Sequence, residues 1–297
     1  MLKIAENVRL AEKTSYRIGG PARYYAEPRS EGEVVEAYRF AAEKGVPLFV
    51  LGNGSNVLIS DAGFGGLVIN LSKYFSALTW DNATAFVLSG YPLDDLAAAA
   101  AERGYAGIEC LSGIPGTVGG AVVMNAGAFD SDISKTLRGV RVLRASTHTI
   151  ETVPAKDLSL GYRTSALKGG GDAVLSATFD FVAGDAAQIK SVRDDILAKR
   201  RSKQPVDSPS CGSVFKRPPN GFAGTLIESC DLKGFGIGRA EISEKHANFI
   251  INTGSAKAED VRVLIRHVQK TVFEKHGVLL EPEVIFMGEF KEPLYKG

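Results

Sequence analysis

Apolar residues recur at helical spacing along the chain, and the first such stretch has recognisable boundaries. The first begins at Ser30, which has capping-box spacing with Glu33, and it ends at Gly45, a residue type common at helix C-termini. The same kind of pattern recurs three more times along the chain. It predicts helices at 30–44, 92–103, 186–201 and 258–276.

Short apolar runs bounded by glycine or polar residues predict strands between these helices. The predicted strands are 46–52, 85–89, 121–124, 140–144, 173–181, 249–251 and 284–287. Helices and strands are mixed without a strict β-α-β alternation, which favours an α+β architecture over a doubly wound sheet. The stretch "RRSKQPVDSPS" (200–210) is polar, contains proline and follows a predicted helix, so it is the best candidate for a domain boundary.

Composition narrows the class of protein without identifying it. The 297 residues are 44% apolar and 23% charged, and the net charge of +1 argues against binding to nucleic acid or anionic membranes. The three cysteines include no C-x-x-C pair, so neither a disulfide framework nor a metal site is expected. The N-terminus has no apolar core of signal-peptide length, and no apolar run approaches a membrane span, so a cytoplasmic protein is expected.

Glycines cluster in segments with the chemistry of an anion site. Gly-rich turns expose backbone amides and let a phosphate approach closely, as in "GNGSN" (52–56), "GIPGTVGG" (113–120) and "NAGAF" (125–129). Either of the first two clusters alone is equally consistent with a tight turn, but together they favour a large phosphate-bearing ligand. No P-loop motif occurs, and Val57 ends the G-x-G-x-x-G pattern that starts at Gly52, which disfavours a Rossmann site.

The stretch "SCGSVFKRP" (210–218) places Cys211 and Ser213 on either side of a glycine, ahead of two cations. Both side chains belong to nucleophile types, yet none of the four histidines falls in a nucleophile-elbow pattern. The residues alone therefore leave the role of Ser213 open.

Seven blocks follow one another along nearly the whole chain: TSYRIGGPA, LGNGSNVLI, GIPGTVGGAVVMNAGAF, GYRTS, GSVFKRP, EKHANFIIN and LEPEV. In this order they resemble the MurB family of UDP-N-acetylenolpyruvoylglucosamine reductases, flavoenzymes of bacterial peptidoglycan synthesis. Arg217 and the short spacing after GYRTS resemble the family's shorter branch. The resemblance implies the two-lobed FAD-binding fold of the vanillyl-alcohol oxidase type plus a third, α+β substrate-binding domain. The implied domains are 1–72, 73–204 and 205–297, with a strand near 280–290 that supplies a catalytic glutamate.

The resemblance also implies an activity. It is the NADPH-dependent reduction of UDP-N-acetylglucosamine enolpyruvate to UDP-N-acetylmuramate through FAD, with NADPH and the sugar nucleotide using one site in turn. Ser213 would protonate C2 of the enolpyruvyl group after hydride transfer to C3, acting as an acid that needs no histidine. Arg163 and Glu283 would stabilise the charge that develops on the substrate carboxylate. A monomer is expected.

The resemblance further assigns binding residues. The implied FAD contacts are Gly52, Asn53, Gly54, Ser55, Asn56, Ser112, Gly113, Ile114, Pro115, Gly116, Gly119, Gly120, Asn125, Ala126, Gly127 and Arg200. The implied substrate contacts are Lys203, Arg217, His246 and Tyr162. Lys199 and Arg201 offer competing registers for the two cations near the boundary, and the four cations there also suit the negative end of a helix dipole.

Two other functions stay open at this point. One is an FAD-dependent sugar or lactone oxidase or dehydrogenase of the same fold, which needs a base and often a covalent flavin link through His or Cys; the cofactor blocks contain no histidine. The other is a flavin or nucleotide carrier without catalysis, for which GSVFKRP and LEPEV would have no purpose. The preference for NADPH over NADH is also left open.

Overall fold

The structure is a computed structural model that describes residues 2–219 and 221–297. The α-helices are α1 (Glu31–Lys44), α2 (Leu93–Glu102), α3 (Val118–Val123), α4 (Ala186–Lys203), α5 (Ala223–Ser229) and α6 (Ala258–His276). The strands are β1 (Ile4–Arg9), β2 (Pro21–Ala26), β3 (Leu48–Leu51), β4 (Val57–Ile59), β5 (Phe64–Asn70), β6 (Leu78–Asp81), β7 (Thr84–Leu88), β8 (Tyr105–Ala106), β9 (Gly127–Ala128), β10 (Ser131–Asp132), β11 (Leu137–Leu143), β12 (Ile150–Pro154), β13 (Ala173–Asp180), β14 (Val182–Ala183), β15 (Ser210–Ser213), β16 (Gly236–Ile237), β17 (Ala240–Ile242), β18 (Phe249–Asn252) and β19 (Ile285–Met287).

The chain divides into two units. Unit 1 comprises Met1–Glu6, Tyr24–Asn53 and Gly66–Lys199, and unit 2 comprises Asn7–Arg23, Gly54–Gly65 and Arg200–Gly297. In the described part of the chain, no helix is both long enough and apolar enough to cross a membrane.

Unit 1 is built on two sheets and two hydrophobic cores, and strands β11 and β13 contribute side chains to both cores. One sheet has the order β1-β2-β5-β3, with β3 parallel to β5, and α1 buries Val34 and Tyr38 in its core. The other is the five-stranded antiparallel sheet β12-β11-β13-β7-β6. Its core includes Leu93 and Leu96 of α2 and Val118 of α3, so both helices pack on this sheet.

Unit 2 contains the antiparallel sheet β15-β18-β17-β16 and the parallel pair β19-β4. The long helix α6 supplies much of its core, because Val261, Leu264, Ile265 and Val268 form one buried face. The buried Val214 belongs to the same core, so the segment that follows β15 is held from within.

The first predicted helix is confirmed together with its caps. Ser30 Oγ accepts a hydrogen bond from the Glu33 amide at 3.2 Å, and Gly45 adopts the left-handed conformation with φ +61°. The Glu33 carboxylate accepts from the Arg29 amide at 2.8 Å. The other three predicted helices are confirmed as α2, α4 and α6, with ends shifted by at most two residues.

The predicted strand at 121–124 is wrong, because these residues lie mainly in α3. Ala121 donates its amide to the Thr117 carbonyl at 2.9 Å, as in a helix. The helix lies close to the end of β7: a Cβ on Gly119 would be only 2.8 Å from Ser89 Cβ. A short apolar run has the same pattern in a buried helix as in a buried strand, and here the close approach that glycine permits decided between them.

Candidate functional site

Two glycine-rich segments predicted to bind the cofactor meet in unit 1. Asn53 Nδ2 donates to the Pro115 carbonyl at 3.1 Å. A Cβ on Gly52 would lie 2.4 Å from Thr117 Oγ1, so only glycine permits this approach. The turn after β3 and the turn before α3 therefore form one surface, although 62 positions separate Asn53 from Pro115.

The turn before α3 carries polar groups that the protein itself does not use. Ser112 is fully buried, and its hydroxyl has no hydrogen-bond partner in the described residues. Within the same described part of the chain, the amides of Gly116, Thr117 and Gly120 donate to no protein acceptor. Buried polar groups are normally satisfied, so the buried Ser112 hydroxyl and Thr117 amide indicate a site for an acceptor-rich ligand.

The other predicted residues of this region support that surface. Gly113 has φ +76°, a conformation that favours glycine. The Gly119 amide donates to the Ser89 carbonyl at 2.8 Å, which fixes the first turn of α3. Ile114 and Ala126 pack against the core of the five-stranded sheet.

The segment 125–127 contacts the GYRTS segment, also within unit 1. Asn125 Nδ2 donates to the Gly161 carbonyl at 3.0 Å, and Arg163 Nη2 donates to the Gly127 carbonyl at 3.0 Å. Asn125 Oδ1 is buried and accepts no hydrogen bond from any described residue. The structure thus brings a predicted catalytic arginine beside two predicted cofactor residues.

The arginine sits on a strained turn. Gly161 and Thr164 exchange backbone hydrogen bonds of 3.1 and 3.2 Å, which leaves Tyr162 and Arg163 at the tip. Arg163 has φ +56°, unusual for a residue with a long side chain, and Lys168 Nζ donates to its carbonyl at 3.0 Å. The guanidinium lies 5.1 Å from the centre of the Tyr162 ring, which is 57% exposed. Residues with strained backbone conformations cluster at functional sites, where the surrounding structure holds them in place.

In unit 2, Gly54 begins a short run of backbone donors. The amides of Gly54, Ser55 and Asn56 donate to no acceptor in the part of the chain that the structure describes. Gly54 has φ +60°, and a Cβ there would be 2.8 Å from Thr14 Cα. Successive amides around a left-handed residue form an anion-binding concavity. This packing therefore requires glycine at 54.

Asn56 also connects this turn with the predicted catalytic glutamate. Its Nδ2 donates to the Glu283 carbonyl at 3.3 Å, and its own carbonyl accepts from the Ile285 amide at 3.0 Å. The β19-β4 pairing continues from these bonds. The backbone at Glu283 is therefore held next to the turn of unit 2 that carries the amide run.

Ser213 ends β15 after an irregularity in that strand. Ser210 pairs with Ile251 and Ser213 with Phe249, and the pairing shifts between them. Gly212 lies at the shift with φ +78°. An extra residue in one strand of a pair redirects the side chain that follows it, so the bulge sets the direction of the half-buried Ser213.

Asn248 holds the backbone that follows Ser213. Its side chain accepts from the Phe215 amide at 3.0 Å and donates to the Phe215 carbonyl at 2.8 Å. Its carbonyl accepts from the Val214 amide at 2.8 Å, and the Val214 carbonyl accepts from the Glu283 amide at 2.7 Å. The structure therefore brings Ser213 and Glu283 onto adjacent backbone segments. Sequence reasoning missed Asn248, although it lies in the block EKHANFIIN.

Cys211 lies in the apolar core of unit 2 and is 2% exposed. Burial raises the pKa of its thiol to about 12, and the negative charge of Glu283 contributes in the same direction. The thiol therefore stays protonated at neutral pH, which suits a packing residue and not a nucleophile.

The remaining predicted binding residues lie at separate places in unit 2. Arg200 Nη1 donates to Gln204 Oε1 at 3.4 Å, and Lys203 is exposed at the end of α4. The Arg201 carbonyl accepts from Lys245 Nζ. The Arg217 guanidinium lies 4.6 Å from the centre of the Phe222 ring.

His246 is held by the neighbour that also orders the Ser213 segment. Its Nδ1 accepts from the Asn248 amide at 3.2 Å, and its ring packs edge-on against Phe249, with 4.9 Å between ring centres. Burial lowers the pKa of His246, and the charge of Lys233 adds to this, while Glu228 acts in the opposite direction. The neutral ring is therefore the form that the fold accommodates.

This lowered pKa predicts a pH dependence of stability. In the unfolded chain His246 takes up a proton near pH 6.5, whereas the folded protein resists that proton, so the free energy of unfolding falls as the pH drops below about 6.5. The replacement His246→Asn keeps an acceptor but cannot titrate. We expect the free energy of unfolding, measured with urea between about pH 7 and pH 5, to depend less on pH in the variant. The difference between the two slopes corresponds to at most about one bound proton. The exposed His276→Asn is the control, and equal slopes in wild type and His246→Asn would contradict the assignment.

The structure contains no group of three or more His, Cys, Asp or Glu side chains able to hold a metal ion, within residues 2–219 and 221–297. Two family models match the chain: residues 22–152 match one described as "FAD binding domain", and residues 204–287 match "UDP-N-acetylenolpyruvoylglucosamine reductase, C-terminal domain". Fold and site thus define a flavin-dependent oxidoreductase, which confirms the expected α+β, FAD-binding fold class.

Relatives of known name cover nearly the whole chain. UDP-N-acetylenolpyruvoylglucosamine reductase of Caldicellulosiruptor bescii is 46% identical over 96% of this chain and 91% of its own length. The enzyme of that name from a Synechococcus species is 43% identical over 98% and 94%. The crystal structure of this reductase (MurB) from Thermus caldophilus superimposes with a TM-score of 0.83 at 33% identity, covering 97% of this chain and 99% of that one. This chain belongs to the UDP-N-acetylenolpyruvoylglucosamine reductase family.

The glycine-rich segments fit FAD in their chemistry. A flavin dinucleotide presents diphosphate oxygens and ring carbonyls, which need donors, and the unused amides and the Ser112 hydroxyl are donors of this kind. The glycine at 52 permits the close approach of the turn after β3 to Thr117, whose amide is one of these donors. Each of these features is a property of the folded chain itself.

The unused hydroxyl of Ser112 predicts opposite effects on stability and on cofactor affinity. Ser112→Ala removes a buried group that has no protein partner, so the FAD-free protein should be equally stable or more stable. If the hydroxyl binds FAD, the dissociation constant should rise about 5-fold to 10-fold, the value of one neutral hydrogen bond. Thermal unfolding and FAD titration measure the two effects.

Thr136→Val is the matched control, because Thr136 Oγ1 is also buried and unpartnered among the described residues but lies outside the glycine-rich segments. Its effect on stability should resemble that of Ser112→Ala, with no change in FAD affinity. Equal FAD affinity in wild type and Ser112→Ala would remove Ser112 from the cofactor site.

Proposed function

We propose that this chain reduces UDP-N-acetylglucosamine enolpyruvate to UDP-N-acetylmuramate with NADPH as the reductant. The observation that carries the proposal is the bonding of the Ser213 segment to the segment of Glu283: the Val214 carbonyl accepts from the Glu283 amide at 2.7 Å. This arrangement sets an acid and a carboxylate side chain on adjacent backbones of one unit. FAD, when bound, would supply the two-electron redox chemistry that links NADPH to the enolpyruvyl group.

Ser213 supplies the proton that completes the reduction at C2. Hydride addition at C3 leaves an enolate, and an enolate carbon is basic enough to take a proton from a hydroxyl that is held in place. The bulge at Gly212 and the hydrogen bonds of Asn248 hold the backbone on both sides of this serine. One hydride and one proton together saturate the double bond.

Arg163 and Glu283 act on the substrate carboxylate. Charge builds up on this group as hydride arrives, and a planar guanidinium stabilises it best from a fixed position. The Gly127 carbonyl holds Arg163 Nη2, and the turn at Tyr162 fixes the backbone of the arginine. Glu283 contributes a protonated or hydrogen-bonding carboxyl to the same group.

The predicted binding residues keep their proposed roles. The FAD diphosphate is assigned to the turn 52–56 and Arg200, and the flavin ring to 112–120 and 125–127. Lys203 is assigned to the diphosphate of the sugar nucleotide, and Arg217, His246 and Tyr162 to the rest of the substrate. The two nucleotides use one site in turn.

The proposed organisation has three domains, at 1–72, 73–204 and 205–297. We infer a monomer that works in the cytoplasm without a membrane or nucleic-acid partner. There it would supply a peptidoglycan precursor and so contribute to cell-wall formation, cell shape and division.

Anaerobic stopped-flow measurements test the function. The purified protein should bind FAD non-covalently, lose flavin absorbance on mixing with NADPH, and regain it on mixing with the enolpyruvyl sugar nucleotide. Recovery of absorbance with oxygen alone, after reduction by a sugar or lactone, would point instead to an oxidase of the same fold. A flavin that NADPH does not reduce would indicate a carrier.

A further inference from the structure

Asp94 lies in the first turn of α2 and reaches a segment that follows 19 positions later. Its Oδ1 accepts a hydrogen bond from the Gly113 amide at 2.9 Å. Arg193, on α4, donates from Nη2 to the same oxygen at 2.9 Å. One carboxylate oxygen therefore joins two helices to the turn that carries the unused donors.

The start of α2 holds the same turn a second time. The Leu93 amide donates to the Gly116 carbonyl at 3.0 Å, so backbone bonds fix the far end of 113–116. At the near end the Asp94 side chain holds the Gly113 amide, and the Ile114 amide donates to the Leu111 carbonyl at 3.2 Å. The segment begins at Gly113, which has φ +76°. The residue before it is Ser112, whose hydroxyl has no partner in the described residues.

Arg193 is well placed to orient this carboxylate. Its side chain is only 18% exposed, half the exposure of the Asp94 side chain, and its Nε is buried without a partner in the described residues. Burying a guanidinium is unfavourable unless a carboxylate compensates it, so Arg193 and Asp94 restrict each other's position.

We propose that the Asp94–Arg193 ion pair is a positioning pair that holds the backbone of 113–116 in the conformation that binds FAD. Neither side chain is assigned a contact with the flavin; both act through the Gly113 amide. A charge-assisted bond to a backbone amide is stronger than a neutral one, so it orders the turn before the cofactor binds and reduces the entropy lost on binding. The proposal rests on the placement of FAD on 112–120.

The test combines FAD titration of the full-length FAD-free protein with hydrogen exchange of the same protein. In Asp94→Ala, the Gly113 amide should exchange faster, and the FAD dissociation constant should rise about 10-fold to 100-fold, the value of a hydrogen bond to a charged group. Asp94→Asn keeps an acceptor and should recover part of the loss. Asp180→Ala, which removes the exposed partner of Arg138 in the same unit, should leave both measurements unchanged.

Arg193→Gln tests whether the two residues act as a pair. It should weaken FAD binding in the wild-type background and have little further effect in Asp94→Asn, because contacting residues are not additive. This comparison also tests the positioning role of the Asp94–Arg193 pair if Asp94→Ala does not fold. Fully additive effects would overturn the pairing.

The outcomes separate this proposal from the placement of FAD. If Ser112→Ala weakens FAD binding while Asp94→Ala changes neither affinity nor exchange, the positioning role is wrong and the placement stands. If neither variant changes FAD affinity, the cofactor does not bind on this turn, and both are overturned.

Discussion

Ser213→Ala should reduce its bound flavin with NADPH at close to the wild-type rate, yet return those electrons to the enolpyruvyl substrate ~10²–10⁴-fold more slowly. The first half of the reaction needs no protein acid at C2 of the substrate. The second half does, and a positioned acid typically contributes a factor of this size. FAD content should be normal, because Ser213 lies in unit 2 outside the glycine-rich segments.

Stopped-flow measurement of the two halves, each under anaerobic conditions, gives the two rates separately. Ser213→Cys should recover part of the loss, since a thiol also donates a proton. Cys211→Ala is the control: that thiol is buried and protonated at neutral pH, so its removal should leave both rates nearly unchanged. If Ser213→Ala slows both halves equally, Ser213 positions the flavin and does not donate the proton. If it slows neither, this segment is only a turn.

Arg163→Lys should impair sugar reduction nearly as much as Arg163→Ala, with a fall of ~10²–10³-fold in the second half-reaction. An ammonium group is a point charge and cannot reproduce the planar fork of a guanidinium, one nitrogen of which is bonded to the Gly127 carbonyl. Both variants keep a non-glycine residue at φ +56°, so they share the same backbone strain. Any difference between them therefore reports the side chain.

Reduction of flavin by NADPH provides the internal reference for these variants, because it involves no enolpyruvyl carboxylate. Arg138→Lys, at an exposed arginine paired with Asp180, is the external control and should behave as wild type. Turnover of Arg163→Lys within a few-fold of wild type would remove the proposed role. Equal losses in both half-reactions would assign Arg163 to the cofactor site.

Local pattern predicted the four longest helices of this protein. The helix from Glu31 to Lys44 could be predicted with both caps, because capping and amphipathic spacing are properties of neighbouring residues. The order of the seven blocks also indicated the family and a list of site residues. For 121–124, where a short apolar run fits two structures equally well, the pattern failed.

Only the tertiary structure decided which segments meet. Asn53 bonds to Pro115, Asn125 to Gly161, and Asp94 to Gly113 through hydrogen bonds that leave no periodic signal in the sequence. Asn248 illustrates the reason most clearly. An asparagine in the turn before a strand predicts little by itself, whereas here its side chain satisfies both backbone groups of Phe215, 33 positions away. Periodicity reports how one residue is buried, but a site depends on pairs of distant polar groups, and their pairing is set only when the chain folds.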